Sequence, residues 1–460
     1  MTQEAFVLIG AGSTVFTPGL LNDLARSRAF DGVSVRLVDV VPEAAETMAR
    51  LGRRIGEAAG STMTVEAVAD RREALKDARF VATTIAVGSA AGWRADLDIP
   101  EAYGIHQTVG DSVGPGGVLR ALRHIPELLA IAADIADVAP TAQLINYSNP
   151  LTANVRAVTK HTPVKAVGLC HGTMHTKTAL ASDLDVDPAS VSTLFAGLNH
   201  LCWLLDIRSG PEDLYPRLRE LVRERAGRED APVSRTEGVH SAVSADLMQT
   251  FGLYPAPGDR HVSEFFSGYL SRAADGGLGW GLQGGQDMTR EYIDEKGRLW
   301  DSLRAQAEGS ERLAPARNQE AERLVAIAEA LRTGSEHVEL AVNLPNGGLI
   351  ANLPAEAVVE VPAVVGAHGI RGVSVGRLPD AIAAVLSARA QQQELTVEAA
   401  VSGAREVALQ ALVLDPLVPD ARTARGILDD AVAADPSHYD RFAAAATLSP
   451  TARNQGEILV

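Results

Sequence analysis

The amino-acid sequence predicts an α/β protein that begins with a Rossmann-type doubly wound parallel sheet and continues as an α+β domain. Three observations predict it. An apolar run, a glycine turn, a helical pattern and a second apolar run follow one another in residues 5–39. Short apolar, β-branched runs then alternate with helical patterns up to about residue 195, as parallel strands joined by helices do. Polar helical stretches beyond that point separate a second group of strand candidates.

The first predicted unit ends in an acidic residue after its second strand. An apolar run at 5–9 enters the glycine turn, a helical pattern covers 18–26, and an apolar run at 33–38 precedes the acid. In dinucleotide-binding units the glycines let the backbone approach the pyrophosphate at a helix N-terminus, and the carboxylate takes the ribose hydroxyls. The residues expected to bind the cofactor are Gly10, Gly12, Ser13 and Asp39.

Two departures from this pattern leave a plain tight turn as the alternative. Val15 stands where the pattern has its third glycine, and Asp39 lies later than the usual separation of about twenty residues. The strands on either side of the turn nevertheless favour cofactor binding. A carboxylate at position 39 would repel a 2′-phosphate, so the pattern favours NAD over NADP.

A long glycine-rich connection follows the next predicted strand, residues 80–87. It runs from Gly88 to Gly117, and loops of this length inside an α/β unit are typically lids or binding loops. Apolar residues between 118 and 138 fall on one helical face, which predicts a packed helix after the loop.

The second half of the chain predicts a different arrangement. Helices are predicted at 213–225, 231–251 and 317–331, and strands at 338–344, 349–352 and 358–361. Residues 381–446 are alanine-rich with helical periodicity, so we expect them to pack against their own domain or another subunit. The simplest division gives an NAD-binding Rossmann domain in 1–195 and a substrate-binding and oligomerisation domain in 196–460.

Composition excludes several classes of function. The 460 residues carry a net charge of −16 with no basic stretch, which argues against nucleic acid or an anionic membrane as a partner. Two cysteines do not make a disulfide framework. No signal segment and no apolar stretch of about 18 residues is apparent, so we expect a cytoplasmic protein whose thiols stay reduced.

Three apolar runs of the predicted sheet end in polar residues that can bind ligands. The runs are 143–145, 164–169 and 192–195. The residues that follow them include Asn146, Asn149, Cys170, His171, Asn199 and His200. A thiol with imidazoles suits a soft divalent metal. A cysteine that only packs in the core is the alternative for Cys170.

The most specific pattern is a set of short motifs spread over residues 5–365. They include Gly10-Ala11-Gly12-Ser13, Asn146-Tyr147-Ser148-Asn149-Pro150, Gly168-Leu169-Cys170-His171, Gly197-Leu198-Asn199-His200 and Asn346-Gly347-Gly348-Leu349. Together these motifs resemble glycoside hydrolase family 4. The resemblance implies a lactate/malate dehydrogenase-like fold, NAD and a divalent metal, commonly Mn²⁺, as cofactors, and assembly as a homodimer or homotetramer.

The resemblance also implies an unusual route to glycoside cleavage. In the family, NAD⁺ takes a hydride from C3 of the sugar, a base removes the acidified C2 proton, and the aglycone leaves from C1. Water then adds and the hydride returns to C3. A metal is needed to polarise the C3 carbonyl and to stabilise the negatively charged oxygens of the enediolate. The family therefore differs from glycosidases that use two carboxylates.

Individual roles follow from the family motifs. The resemblance implies that Cys170 and His200 are metal ligands and that Asp259 is the base at C2, with His171 or Asp111 as the leaving-group acid. For Asp259 an ordinary surface carboxylate is the alternative. The residues expected to bind the substrate are Asn149, Arg94, Asn199 and Arg260, although Arg94 is equally well explained as a solvent-facing arginine.

The substrate class is the finest inference. Cys170-His171-Gly172 looks like the family variant associated with uronic acid glycosides, and Arg94 and Arg260 offer cations for a C6 carboxylate. We therefore favour an α-glucuronidase or α-galacturonidase over a neutral α-glucosidase or α-galactosidase. The alternatives outside this activity are an NAD-dependent 2-hydroxyacid dehydrogenase and a sugar-responsive NAD-binding regulator.

Overall fold

The computed structural model describes residues 4–226, 241–273, 276–314 and 323–444, and within them the strands form one mixed sheet. The strands are β1 Ala5–Ile9, β2 Ser34–Val38, β3 Thr64–Ala67, β4 Ala78–Thr83, β5 Gln143–Asn146, β6 Lys165–Gly168, β7 Val191–Leu198, β8 Leu201–Ser209, β9 Glu212–Asp213, β10 Tyr254–Ala256, β11 His337–Pro345, β12 Val358–Gly366 and β13 Gly369–Gly372. Their order is β10-β8-β7-β12-β11-β6-β5-β4-β1-β2-β3, with β13 beside β12 and β9 beside β8.

Helices cover the sheet and build the C-terminal part of the chain. They are α1 Thr17–Arg26, α2 Pro42–Ala59, α3 Arg71–Leu75, α4 Ser89–Glu101, α5 Gly114–Val138, α6 Leu151–His161, α7 Gly172–Asp183, α8 Tyr215–Ala226, α9 Ala242–Phe251, α10 Asp259–Val262, α11 Gly285–Glu308, α12 Arg323–Thr333, α13 Asp380–Ser402, α14 Arg405–Val413, α15 Ala421–Ala434 and α16 Pro436–Tyr439. None of the described helices is long and apolar enough to cross a membrane.

The N-terminal half is the doubly wound parallel sheet that the sequence predicts. Strands β3-β2-β1-β4-β5-β6 pair in parallel, which is the strand order typical of dinucleotide-binding folds. The whole of β1 is buried, because helices pack on both of its faces. Its continuous apolar run, rather than an alternating one, is what burial on two faces requires.

The glycine-rich connection contains a helix, so the expectation of one long loop is wrong for its first part. Gly88 takes φ +80° and starts α4, which the chain follows for 13 residues. This helix packs against α5, and its residues Asp96 and Leu97 are buried. Only residues 102–113 remain as a loop, and α5 begins at Gly114, close to the predicted helix.

The parallel alternation ends earlier than expected. β7 pairs with β8 and β12 in antiparallel fashion, so the strands that follow β6 in the chain no longer continue the parallel arrangement. A turn of only two residues joins β7 to β8, and such a short turn requires antiparallel strands. Position 195 lies inside β7, and the division of the chain into two domains there stays a prediction.

Two further expectations from the second half need correction or restriction. Residues 349–352 form a turn rather than a strand, because the buried Asn346 side chain binds the backbone of Ile350, Leu353 and Pro354. The predicted helices at 231–251 and 317–331 are present as α9 and α12 where the chain is described. Residues 231–240, 317–322 and 445–446 of the predicted helical segments lie outside the described residues.

The C-terminal helices α13–α16 pack against α5 and α6 around a shared apolar core. A buried ion pair lies at this junction. Both guanidinium nitrogens of Arg123 donate to the carboxylate of Asp96 at 2.9 and 2.7 Å, and both side chains are 1% exposed. Arg123 also donates to the hydroxyl of Tyr439 on α16. One guanidinium therefore joins α4, α5 and the end of the described chain.

We expect Asp96→Asn to lower the free energy of unfolding by about 3–5 kcal/mol, because it leaves the Arg123 charge buried without its anion. Urea titration followed by circular dichroism measures the change. The matched control is Asp206→Asn, which breaks the exposed pair with Arg208 on β8 and should cost no more than about 1 kcal/mol. Equal losses in the two variants would contradict the role assigned to the buried pair.

Candidate active site

The carboxyl ends of β1, β2, β4, β5 and β6 lie at the same edge of the sheet, since the strands run in parallel. The turn after β1 approaches the end of β4 closely. Gly10 has φ +87°, and a Cβ atom there would lie 2.7 Å from the backbone carbon of Thr84. The Thr84 hydroxyl donates to the Gly10 carbonyl at 2.8 Å. Only glycine fits at this position.

The four residues expected to bind the cofactor come together at this turn. One oxygen of Asp39 accepts from the N–H of Gly12 at 2.7 Å, and the other accepts from the N–H of Val41 at 2.9 Å. The Ser13 hydroxyl accepts from the N–H of Phe16 at 3.2 Å, just before α1. The acidic side chain thus lies directly beside the glycine turn.

The two-residue turn between β7 and β8 carries His200 to the same edge. His200 has φ +66°, a conformation that costs energy for a residue with a side chain. A Cβ atom at Gly197 would lie 2.3 Å from the carbonyl oxygen of Leu201, so the hairpin closes only with glycine there. The imidazole is 6% exposed, and its Nδ1 lies 2.9 Å from the hydroxyl of Ser112.

A group of three metal-ligating side chains surrounds His200. Asp111, His200 and His261 each offer one donor atom within 4.8 Å of the other two. Asp111 Oδ1 lies 3.7 Å from His200 Nδ1. The Asp111 carboxylate is held in place, since it accepts from Asn149 Nδ2 and from the Ser112 hydroxyl, both at 2.8 Å. Asp111, Asn149 and His200, expected from the sequence, therefore meet.

The imidazoles of this group are held in their neutral form. Burial lowers the pKa of His200, and the positive charge of Arg260 adds to the effect while Asp111 opposes it. Burial lowers the pKa of His261 further, together with His200 and Arg260. Neutral imidazoles keep a nitrogen lone pair available, as metal ligation requires. The sequence motifs gave His261 no role.

Cys170 lies just after β6, where two N–H groups approach its sulfur. The N–H of Gly172 is 3.5 Å from Sγ, and the Asn199 side chain also forms a hydrogen bond with it. Burial, and then the negative charge of Glu360, raises the pKa of the Cys170 thiol to about 12. A bound cation would reverse this, because metal coordination deprotonates a thiol.

His171 follows Cys170 and packs among aromatic rings. Its ring centroid lies 5.8 Å from that of Phe16 and 6.1 Å from that of Tyr147. Phe16 lies between the glycine turn and α1, so His171 connects the predicted cofactor site to the cysteine. The structure therefore brings Cys170 and His171 to the edge that the sequence predicted.

Two expected site residues have buried hydrogen-bond partners. Asn199 is 2% exposed and donates to the buried Glu360 at 2.9 Å, and its side chain also forms a hydrogen bond with Cys170, so it links the cysteine to the buried carboxylate. Both oxygens of Asp259 bind the start of α9, accepting from the N–H of Val243 at 2.9 Å and from that of Ser244 at 2.8 Å. This carboxylate caps a helix, which leaves the expected role as base without geometric support.

The two arginines expected to bind the substrate have different surroundings. Arg94 is exposed on α4, which fits the solvent-facing alternative. Arg260 lies beside His261, with its Nε 3.3 Å from Nε2 of that ring. Arg120, which the sequence interpretation missed, donates from Nε to the carbonyl of Asn149 at 3.2 Å. Burial raises the pKa of Tyr292 on α11, and the positive charges of Arg120 and Arg260 oppose that shift.

A buried carboxylate joins two parts of the site. One oxygen of Glu264 accepts from three successive backbone N–H groups, those of Thr108, Val109 and Gly110, at 2.9, 2.8 and 2.8 Å. The Thr108 hydroxyl also donates to the carbonyl of Arg260. These bonds fasten the loop that carries Asp111 to the segment that carries His261. No local pattern in the sequence pointed to Glu264.

Family models cover most of the chain. The model described as family 4 glycosyl hydrolase matches residues 5–186, and the model of its C-terminal domain matches residues 195–418. The chain belongs to glycoside hydrolase family 4. This confirms the resemblance drawn from the motifs, and it makes the thiol, imidazole and carboxylate at the strand ends part of a glycoside hydrolase.

Curated relatives of this family 4 protein carry several activities. An α-galactosidase of Bacillus subtilis is 30% identical, with 90% of this chain and 93% of the relative covered. An α-galacturonidase of the same organism is 32% identical, with 91% of this chain and 94% of the relative covered. Because the two identities are so close, the relatives alone do not select between a neutral and an acidic sugar.

Solved structures share the fold. Bacillus subtilis lplD has a TM-score of 0.83 at 29% identity, covering 93% of this chain and 99% of that one. A 6-phospho-α-glucosidase from gut microorganisms, solved with NAD and Mn²⁺, has a TM-score of 0.80 at 23% identity, covering 95% and 99%. Cryptosporidium parvum malate dehydrogenase, at 15% identity, has a TM-score of 0.52 and covers 87% and 100%. The predicted dehydrogenase-like fold is confirmed.

Replacing Glu264 separates its acceptor role from its charge. Glu264→Met should lower the free energy of unfolding by about 3 kcal/mol or more, because three N–H groups lose their acceptor. Glu264→Gln keeps a carbonyl oxygen at that place and should cost much less at pH 7. Urea unfolding of both variants measures the difference, and an equal loss in both would contradict the acceptor role.

The stability of the wild-type protein relative to Glu264→Gln should fall as pH rises. Burial raises the pKa of Glu264 from 4.5 to about 8, against the opposing effect of its N–H donors. Between these values the folded protein retains a proton that the unfolded chain releases, so the contribution of Glu264 decreases through that window. Unfolding both proteins at pH 5, 6.5 and 8 tests this prediction. A free energy of unfolding that rises with pH in the wild type relative to Glu264→Gln would refute it.

Proposed function

We propose that this chain is a glycosidase that uses NAD and a divalent metal, preferably Mn²⁺, to cleave α-glycosides of uronic acids by transient oxidation of the sugar. The observation that carries the proposal is the meeting of Asp111, His200 and His261 at the strand edge that also bears the glycine turn and Cys170. A dehydrogenase acting on hydroxy acids has no need for a thiol and paired imidazoles beside its cofactor.

Gly10, Gly12, Ser13 and Asp39 would hold the dinucleotide, which supplies reversible hydride transfer when bound. The close approach at Gly10 leaves the turn free of side-chain atoms where a pyrophosphate lies. The Asp39 carboxylate beside Gly12 would accept ribose hydroxyls and repel a 2′-phosphate. These features support NAD rather than NADP.

Cys170 and His200 would hold the metal, which supplies a positive charge to polarise sugar oxygens when bound. The residues present fit such a group. The sulfur already accepts N–H groups, and the His200 ring is neutral and fixed through Ser112. A thiol whose pKa is raised by burial is costly to ionise without a cation, so this site favours a cation as a partner for Cys170.

The chain's own proton carriers at this edge are His171 and Asp111. Either would protonate the leaving oxygen, as the family motifs imply. Asp259 remains the base suggested by the motifs, but its oxygens are occupied by the N-terminus of α9. For that role the protein would have to release Asp259 from the helix, or another group would have to remove the C2 proton.

The arginines support an acidic sugar. Within the described residues neither Arg120 nor Arg260 forms an ion pair, although Arg120 donates to the carbonyl of Asn149 and Arg260 donates to the ring of His261. An unpaired guanidinium beside a sugar site is suited to a carboxylate, which it can bind through two parallel hydrogen bonds. α-Galacturonidases among the relatives agree with this, and α-galactosidases of similar identity support a neutral sugar as the second candidate.

A panel of 4-nitrophenyl α- and β-glycosides tests the proposal, with galacturonide, glucuronide, galactoside and glucoside compared with and without NAD⁺, Mn²⁺ and a thiol reductant. We expect cleavage of an α-uronide that needs both cofactors, and solvent deuterium at C2 of the released sugar. Cleavage of the neutral glycosides alone would select the second candidate. Stoichiometric NADH from a hydroxy acid without glycoside cleavage would overturn both.

Arg260→Gln should raise KM for the α-uronide by roughly ten- to hundredfold, since the lost charge-assisted contact is worth about 1.5–3 kcal/mol. KM for a neutral glycoside should change little. Steady-state kinetics on both substrates gives the comparison, and Arg208→Gln on β8 is the matched exposed control. A loss of the same size on both substrates would speak against carboxylate recognition.

Gly10→Ala should weaken NAD⁺ binding by at least about tenfold, because the new methyl group collides with the backbone at Thr84 and displaces the turn. Isothermal titration with NAD⁺ measures the affinity. Gly60→Ala is the matched control, since Gly60 also has positive φ, +66°, but has open space around it. If the two variants bound NAD⁺ equally well, the turn would not be the dinucleotide site.

A further inference from the structure

A second imidazole lies against the His200 ring. The ring centroids of His200 and His261 are 4.2 Å apart and their planes are inclined by 51°. Both rings and the Asp111 carboxylate present donor atoms within 4.8 Å of one another. Two neutral rings could lie this close for packing alone, so a further observation is needed to distinguish packing from ligation.

That observation is the environment of His261 Nδ1. The atom is buried and has no hydrogen-bond partner among the described residues. A buried polar nitrogen without a partner costs about 1–3 kcal/mol, and native proteins rarely leave one so. The other nitrogen, Nε2, accepts from Nε of the exposed Arg260 side chain at 3.3 Å. When the ring proton lies on Nε2 instead and Arg260 turns away, the Nδ1 lone pair is available to a cation between the three side chains, which would remove this cost.

The backbone that carries His261 is held rigidly toward the site. Glu264 and the Thr108 hydroxyl tie its segment to the loop of Asp111. On the other side, Gly172 packs against Pro257, where a Cβ atom would lie 2.4 Å from the proline Cβ. The His261 ring is therefore held in position by packing and backbone hydrogen bonds, as ligands of a preformed metal site are.

We infer that His261 and Asp111, together with His200, are protein ligands of the divalent cation; Cys170, which the family motifs add as a ligand, lies outside this three-residue group. This inference rests on the proposed metal dependence. With Cys170 and His200, which the family motifs imply, the cation would have one sulfur, two imidazoles and a carboxylate. Asp111 would then be ionised, which leaves His171 as the leaving-group acid. Fewer coordination positions then remain for sugar oxygens and water.

The ligand set has a consequence for metal preference. Imidazole nitrogen suits the later first-row metals, whereas Mn²⁺ binds oxygen ligands comparatively well. Removing the His261 imidazole should therefore weaken Co²⁺ binding more than Mn²⁺ binding. A residue that only packs beside His200 would affect both metals alike, or neither.

The test titrates Co²⁺ and Mn²⁺ into the full-length protein without sugar or NAD⁺, following the visible Co²⁺ spectrum and the free Mn²⁺ electron paramagnetic resonance signal. His261→Phe keeps a ring against His200 but has no lone pair. We expect its Co²⁺ affinity to fall by more than roughly tenfold, with a changed d–d spectrum and a smaller loss for Mn²⁺. His175→Phe is the matched control, because that ring lies outside the three-residue group.

His261→Ala provides a second variant in case phenylalanine does not fit. Added imidazole should restore its Co²⁺ spectrum, which a packing defect would not allow. Unchanged Co²⁺ affinity and spectrum in both variants would overturn the inference while leaving the proposed function standing. A wild-type protein that binds neither metal would overturn the metal dependence and this inference together.

Discussion

The site depends on parallel strands that all end at one edge of the sheet. Because β1, β2, β4, β5 and β6 run in the same direction, the turns that follow them are neighbours although they are far apart in sequence. The glycine turn, Asp39, Asn149 and Cys170 are placed by this constraint alone. The same arrangement serves malate dehydrogenase, whose fold this chain shares, so the fold by itself does not decide the chemistry.

The remaining donor groups are brought by the antiparallel half. The β7–β8 hairpin reverses direction in two residues and thereby returns His200 to the edge where the parallel strands end. The segment after β10 brings His261 from the other side. The parallel strands thus position Cys170. The hairpin that requires Gly197 positions His200, and the segment held by Glu264 positions His261.

Burying a carboxylate costs free energy, and in this protein hydrogen bonds from backbone or side-chain amide N–H groups reduce that cost. Glu264 takes three backbone N–H groups, and Glu360 takes the amides of Asn199 and Asn343. Asp111 takes an amide and a hydroxyl. None of these three acids has an arginine or lysine partner within the described residues. Asp111 lies 3.7 Å from His200, so a bound cation could supply the positive charge that this carboxylate lacks.

The sequence by itself determined the Rossmann order, the glycine turn with Asp39, and the presence of Cys170 and His200, because these depend on local patterns: apolar runs, positive-φ glycines and short motifs. Only the tertiary structure decided that Asn199 and Asp259 have buried hydrogen-bond partners, and that Arg120, His261 and Glu264 lie beside the expected site residues. The physical reason is that side-chain direction and partnership across 150 or so residues, as between Glu264 and the N–H of Gly110, are set by packing between elements, and a single sequence carries no local trace of that packing.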